Sequence, residues 1–485
     1  MGDFDCDVLI VGGGPTGVTL ANLLAGRGVS VVVAEKEADI FPLPRAAHID
    51  HEGMRILQEA GAAEAVMATS RRADAYEFRN ARGKVLMAFN GAGRTGPGGW
   101  PIANMIHQPS VEAALRRVLA ERAPASLRSG WEMLSFSQGT QGVTTHFATP
   151  EGERTIRSRW LVGADGARSP VRKACEIAFE DLGFEEPWLV VDVLVDDPSR
   201  LPTANLQICD PARPTTCVLM GEGRHRWEFM ILPGETPEAV SAPAHVERLL
   251  APWGVAGAVR IERTAVYTFR ARIAQQWRKG RVLLAGDAAH QTPPFAGQGL
   301  CSGLRDAANL AWKLAAVCKG EAAGALLDTY QPERAPNLRA TIDMAVMMGR
   351  MVCTTSRLGA WLRDTKLAFA RALGKLPDGP PAYPPLATGA LMDGSPGAGS
   401  YFPQWIAEDG TRLDEALGPG AWLIDHDALD EAAVKPFAEP LREWLSRHHA
   451  HAVLVRPDRY VFGTGASDDL ARHWDAAGSG VSASG

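Results

Sequence analysis

Residues 7–17, Asp-Val-Leu-Ile-Val-Gly-Gly-Gly-Pro-Thr-Gly, restrict the fold more than any other stretch: an apolar strand runs directly into a Gly-x-Gly-x-x-Gly turn. In such a turn Gly12 permits the tight bend, Gly14 lets the backbone approach a pyrophosphate, and Gly17 lets the next helix pack closely on the strand. Pro15 and Thr16 open that helix, whose N-terminus offers free N–H groups and partial positive charge. Leu20, Leu23 and Leu24 continue it, and residues 29–34 form a second apolar strand. Glu35, followed by Lys36, closes that strand where a carboxylate can hold a ribose. The spacing predicts a bound dinucleotide, FAD or NAD(P), and does not choose between them.

With 485 residues, 46% of them hydrophobic, the chain is expected to be globular and to form two or three domains. A net charge of −6 gives no basic excess, so nucleic acid is not an expected partner. No apolar run reaches the roughly 18 residues of a membrane span, and the first five residues lack the basic start of a signal peptide. The expected location is the cytoplasm. Seven scattered cysteines without a Cys-x-x-Cys spacing predict reduced, mostly buried thiols and no metal site. His448, His449 and His451 read as a solvated helix end.

The pattern along the chain is α/β. Residues 1–70, 109–179 and 276–375 are assigned to a nucleotide-binding domain, interrupted by a sheet domain at 71–108 and 180–275. Strands are expected at 188–195, 216–220 and 227–232, and Ser110 is the expected N-cap of a helix through Leu115 and Leu119. Apolar spacing from Gly299 predicts one long helix, with more helix from 324 to 373. The Pro- and Gly-rich stretch 376–400 reads as a linker, 401–475 as a small α/β unit, and 476–485 as a mobile tail.

Two further segments narrow the ligand. Residues 161–172 (LVGADGARSPVR) are a strand, an Asp-Gly turn and a helix start; residues 281–299 (RVLLAGDAAHQTPPFAGQG) are a strand and a Gly-Asp turn before the long helix. With the first glycine turn, they resemble the three fingerprints of the single-component, class A flavoprotein aromatic hydroxylases, relatives of para-hydroxybenzoate hydroxylase and phenol hydroxylase. Segments 43–52, 266–269, 293–299 and 326–331 are most similar to the 3-(3-hydroxyphenyl)propionate hydroxylases. The resemblance spans residues 5–350.

It implies a Rossmann-like FAD domain of the para-hydroxybenzoate hydroxylase type, an inserted substrate-binding sheet, and a thioredoxin-like C-terminal unit. That last unit has no cysteine after Cys353, so it is expected to pack or dimerise, and a homodimer stays open. The implied reaction consumes NAD(P)H, a transient visitor with no fingerprint of its own, and O₂. It hydroxylates a phenolic aromatic, such as a 3-hydroxyphenylpropionate-type acid, through a flavin 4a-hydroperoxide. By resemblance, Arg45, Gln108, Asp165, Gly286, Asp287, Pro293, Gly297, Gln298, Gly299 and Leu300 join the first turn in holding FAD, with Cys301 where the family usually has Asn.

Asp50 aligns with a catalytic base and Tyr267 with a pocket tyrosine, while His48 could relay protons to Asp50. Equally, Asp50 would cap the following helix, Tyr267 would be a core aromatic and His48 a hydrogen-bonded core histidine. Arg224, Arg226, Arg270 and Arg272 are candidate partners for a substrate carboxylate or ordinary exposed strand residues. Two other functions stay open: a hydroxylase tailoring a polycyclic natural product, and a flavin-holding protein without turnover.

Overall fold

The computed structural model describes residues 4–91, 94–376, 379 and 383–479. Its first sheet is built on parallel strands in the order Val282–Leu284, Gly152–Gly163, Cys6–Val11, Val31–Glu35 and Ala125–Ser129. These strands are near-continuous runs of Val, Leu and Ile because a parallel sheet is covered on both faces. Val8, Leu9, Ile10, Leu161, Val162 and Leu283 are fully buried. The helix Pro15–Gly26 packs against both Gln108–Glu121 and the long helix Gly299–Lys319. Parallel strands all point their C-terminal ends to one edge, so the three sequence fingerprints converge there.

The helix expected to start at Ser110 begins earlier, at Gln108 with His107 as N-cap. Pro109 is the cause: its fixed φ suits the first turn, where its missing N–H is not needed. Ser110 instead donates to Glu222 at 2.8 Å.

A second sheet has eight strands, in the order His290–Gln291, Val259–Ala274, Phe179–Val195, Arg224–Met230, Thr215–Leu219, Asn205–Cys209, Ala75–Asn80 and Val85–Asn90. Ala75–Asn80 pairs in parallel with Asn205–Cys209, which brings two distant stretches of chain into one surface. Side chains alternate across this sheet. Leu189, Val191, Cys217, Trp227 and Phe229 form a core on one face with Val246 and Leu250. Val190, Gln207, Thr216, Arg226 and Glu228 face the other way, into a cavity shared with the first sheet.

The last unit has three antiparallel strands, Trp422–Asp425, Ala452–Val455 and Val461–Gly465, with helices Ala438–Arg447 and Ser467–Ser479. The tail expected from 476 is helical as far as Ser479, and residues 480–485 lie outside the described ones. Leu470, Trp474 and Ala477, at helical spacing, pack with Phe462, and Trp474 stacks on Trp312 of the long helix at 5.6 Å. The expected linker is docked from 383 to 400. Leu386 and Ala390 are buried, Ala390 N donates to Glu333 at 2.8 Å, and Asn337 donates to Pro384 O. Residues 377, 378 and 380–382 of that linker lie outside the described residues.

His448 departs from the solvated reading: it stacks on Trp444 at 3.9 Å and its Nδ1 donates to Trp444 O. The seven cysteines are unpaired thiols. Among the described residues, no helix is long and apolar enough to cross a membrane.

Candidate active site

One cavity of about 1830 Å³ runs from the Gly12–Thr16 turn to the inner face of the second sheet. Gly12, Gly14, Pro15, Thr16, Glu35, Lys36, Arg45, Gln108, Asp165, Asp287, Gly297, Gln298, Gly299 and Leu300 line it, as do His48 and Tyr267. Gly17, Gly286, Pro293 and Asp50 do not. Gly17 acts by packing, since a Cβ there would stand 2.0 Å from Gly12 O, and Gly286, at φ +60°, lets its turn close against Thr16.

Local chemistry explains the turn geometry. Glu35 Oε2 accepts from Gly13 N at 2.7 Å, tying the end of the second strand to the glycine turn. Asp306, fully buried on the long helix, accepts from Gly286 N at 3.0 Å, His290 Nε2 at 2.6 Å and Arg334 Nε at 3.0 Å. The Gly286–Asp287 turn is therefore held by a charge-assisted network that sequence periodicity did not reveal. Asp287 is exposed to the cavity. Desolvation raises its pKa, opposed by His290 and Arg45.

These residues fit an FAD-sized dinucleotide. A Cβ built at Gly14 would meet nothing within 4 Å, so backbone there is open to a close-approaching phosphate. Asp165 Oδ2 accepts from Val171 N at 2.9 Å, but its Oδ1 is buried in the cavity wall without a partner. Arg116, missed in the sequence, also lines the cavity and donates to Gly13 O at 3.0 Å. Gln108 acts through the wall: its Oε1 accepts from Ala46 N at 2.7 Å and its Nε2 donates to Glu112 at 2.8 Å.

The surroundings of Asp50 bear out its capping option and add a partner that the sequence did not suggest. Asp50 caps the helix His51–Glu59, accepting from Gly53 N at 2.8 Å, and its other oxygen meets Arg305 Nη2 at 2.6 Å. Burial raises the pKa of this carboxyl, and the Arg305 guanidinium outweighs it and holds the group well below its usual range. Among the described residues no direct hydrogen bond joins it to His48, whose Nδ1 contacts Gly297 O at 3.1 Å. A carbonyl only accepts, so Nδ1 carries the proton; burial lowers the pKa of this imidazole.

Arg305 was missed entirely. It is 4% exposed, pairs with Asp50 and Glu52, donates to Gln298 Oε1 at 3.0 Å and lies over Tyr383 at 4.2 Å. Gln298 Nε2 in turn donates to the Tyr383 hydroxyl at 2.5 Å, so the docked segment reaches the cavity wall. Cys301 Sγ lies 3.5 Å from Asp50 N, inside the same cluster.

Asp50→Ala is expected to destabilise the protein by about 3 kcal/mol, through a lost cap and an under-compensated buried guanidinium. Urea unfolding at neutral pH measures it, and a loss under about 1 kcal/mol would remove the ion pair from the account. Because the folded pKa is depressed, this contribution is present above the unfolded carboxylate value and disappears as pH falls through the folded one.

Each of the four strand arginines has a carboxylate partner within the chain. Arg224 pairs with Glu262, Arg270 with Glu185, Arg272 with Asp181 and Arg226 with Asp192. Tyr267 lines the cavity with Arg263 over its ring at 5.3 Å.

Comparison with known proteins agrees with this geometry. Residues 5–345 match the family described as an FAD binding domain, and residues 425–479 match the HcaD C-terminal domain. A Rhodococcus jostii protein named "Probable NADH-specific resorcinol 4-hydroxylase" is 36% identical, covering 94% of this chain and 91% of its own. The 3-(3-hydroxy-phenyl)propionate/3-hydroxycinnamic acid hydroxylase of Comamonas testosteroni is 41% identical over 76% of this chain and 62% of its own. Among solved structures, aklavinone-11 hydroxylase with FAD and aklavinone superposes at a TM-score of 0.79, with 26% identity, over 99% of this chain and 100% of that one. The chain thus belongs to the FAD-binding class A flavoprotein aromatic hydroxylases.

Proposed function

We propose that this protein is an FAD-dependent monooxygenase that uses NAD(P)H and O₂ to hydroxylate a phenolic aromatic. The observation that carries this reading is the single cavity joining the glycine turn to the inner face of the second sheet. Glu35 would take the adenosine ribose, the helix start at Pro15 the pyrophosphate, and Asp287 the ribityl region. The backbone N–H groups of Gly297–Leu300, at the start of the long helix, would face the pyrimidine edge. Once bound, FAD supplies the redox and dioxygen chemistry.

The chain's own contribution is orientation, a water-poor pocket and control of the phenol's proton. His48, hydrogen-bonded to Gly297 O, fixes the loop beneath the flavin position, and Tyr267 walls the substrate end. A single-ring phenol is the favoured substrate, because the relatives named for single-ring phenols are 36% and 41% identical against 26% for the polycyclic hydroxylase. NADH is the favoured donor on the name of the Rhodococcus relative. Seven unpaired thiols suit the cytoplasm, and a homodimer is included in the proposal.

Purified, FAD-loaded protein should oxidise NADH slowly alone and at least about tenfold faster when a phenol from a panel is added, with a hydroxylated product by mass spectrometry. Bound flavin with no stimulated oxidation across the panel would point to a non-catalytic flavin holder.

A further inference from the structure

On the strand Arg224–Met230, Trp227 and Phe229 enter the core while Arg226 and Glu228 face the cavity. Strand register sets Glu228 between Val190 and Thr216, both cavity-lining. From Thr216 a hydrogen-bonded chain continues. Its hydroxyl donates to Gln207 Oε1 at 2.7 Å, Gln207 Nε2 donates to the Tyr76 hydroxyl at 2.9 Å, and Tyr76 donates to Phe295 O at 2.7 Å. Phe295 lies two residues before Gly297, so the chain ends in the loop assigned to the flavin.

Glu228 itself is 6% exposed, and among the described residues it accepts no hydrogen bond. Arg226 Nη1, at 3.8 Å, is the cation beside it. A buried carboxylate lacking donors is unusual and invites a ligand hydroxyl. Burial pushes its pKa up to about 7, with Arg226 opposing and Asp192 adding to the rise. Tyr76, Arg263 and Tyr267 are the other titratable or charged groups of the packed strands near this face.

With Glu228 ionised, the two guanidiniums and two carboxylates here balance. Asp192 meets Arg226 at 2.6 Å and Arg263 at 3.1 Å, and Arg226 also donates to Pro44 O and Arg45 O. A substrate carboxylate arriving at this face would meet Glu228, with Arg226 and Arg263 already shared with Asp192. Exposed Arg94 and Arg168 are among the cavity-lining cations, away from this strand pair, that could serve one instead.

We propose that Glu228 accepts the hydrogen bond and then the proton of a substrate phenolic hydroxyl, and that this face selects a neutral hydroxylated ring over one bearing a carboxylate. The inference rests on the hydroxylase reading above. The phenol O–H bond breaks, its oxygen keeps the electron pair, and the proton moves to a Glu228 carboxylate oxygen, giving phenolate and carboxylic acid. The raised basicity of Glu228 narrows the gap to a phenol's pKa of about 10.

The test uses FAD-loaded enzyme, NADH, and a panel of neutral and carboxylate-bearing phenols that includes resorcinol and 3-(3-hydroxyphenyl)propionate. Binding is read from the flavin absorbance change and turnover from product per NADH. Wild type should favour neutral phenols at least about tenfold in kcat/KM, and hydroxylation should rise with pH through about 7 as Glu228 ionises. Glu228→Gln should erase that limb and lower kcat on the order of 10²-fold, with the flavin spectrum and phenol affinity nearly unchanged.

A variant that keeps both rate and pH limb, or a wild type that prefers the propionate, overturns the proposal while leaving the hydroxylase standing. Should the variant fail to fold, the wild-type preference and pH profile decide alone. If no phenol stimulates the FAD-loaded wild type, the hydroxylase reading falls and takes this proposal with it.

Discussion

Gly12→Val yields a colourless protein that added FAD does not reconstitute. Gly12 sits at φ +111°, and a Cβ there would stand 2.4 Å from Ala164 O and 2.6 Å from Ala164 C. Both are backbone atoms of the segment following the Gly152–Gly163 strand, which pairs with Cys6–Val11 up to Val11 and Gly163. Neither can yield without parting the strands that form the cavity floor. A β-branched residue in this backbone region adds strain of about 1–2 kcal/mol to the folded turn before the clash is counted. Gly14→Ala separates folding from binding. At φ −75° it is unstrained and its methyl meets no atom within 4 Å, so stability is retained while FAD binds more weakly. Flavin fluorescence titration and thermal melting distinguish the two, and stoichiometric FAD in the valine variant would contradict the assignment of this turn.

Arg456→Met loosens the C-terminal unit from the nucleotide-binding domain. Arg456 is fully buried, with Nη2 at 2.7 Å from Glu333 and 2.6 Å from Asp458, and Nη1 donating to Ala390 O at 3.1 Å. Glu333 also meets Lys313 at 2.8 Å and Asn309 at 2.7 Å, so one guanidinium joins the last unit, the docked segment and two long helices. Removing it leaves buried Asp458 without its cation and Glu333 with Lys313 alone, an expected loss of about 3 kcal/mol. Urea unfolding should show a lower midpoint and an earlier separate transition of the last unit. A midpoint shift worth less than about 1 kcal/mol would mean that the surrounding apolar contacts hold the unit without the ion network.

What could be read from the sequence was what short-range backbone chemistry dictates. The glycine turn declared itself because only glycine meets the backbone demands at Gly12 and Gly17, whatever the rest of the chain does. The capping option for Asp50 was visible for the same reason, since a cap is made within three residues. Arg305 was invisible: it looks like any charged residue on a helix until folding brings Asp50 and Glu52 from some 250 positions away. Glu228 was hidden because its meaning depends on Asp192, which folding places between Arg226 and Arg263. Tyr383 lay in a stretch whose prolines suggested a tether, whereas its neighbours Leu386 and Ala390 dock. Small polar residues from 476 suggested mobility, whereas 476–479 continue the helix Ser467–Ser479.

The most direct test of the account is the source of the oxygen in the product. FAD-loaded enzyme turning over a phenol with NADH under isotopically heavy dioxygen should place one heavy atom in each hydroxylated product, and none when the label is in water instead. Product oxygen drawn from water, or NADH consumption that yields peroxide with every phenol tried, would contradict it.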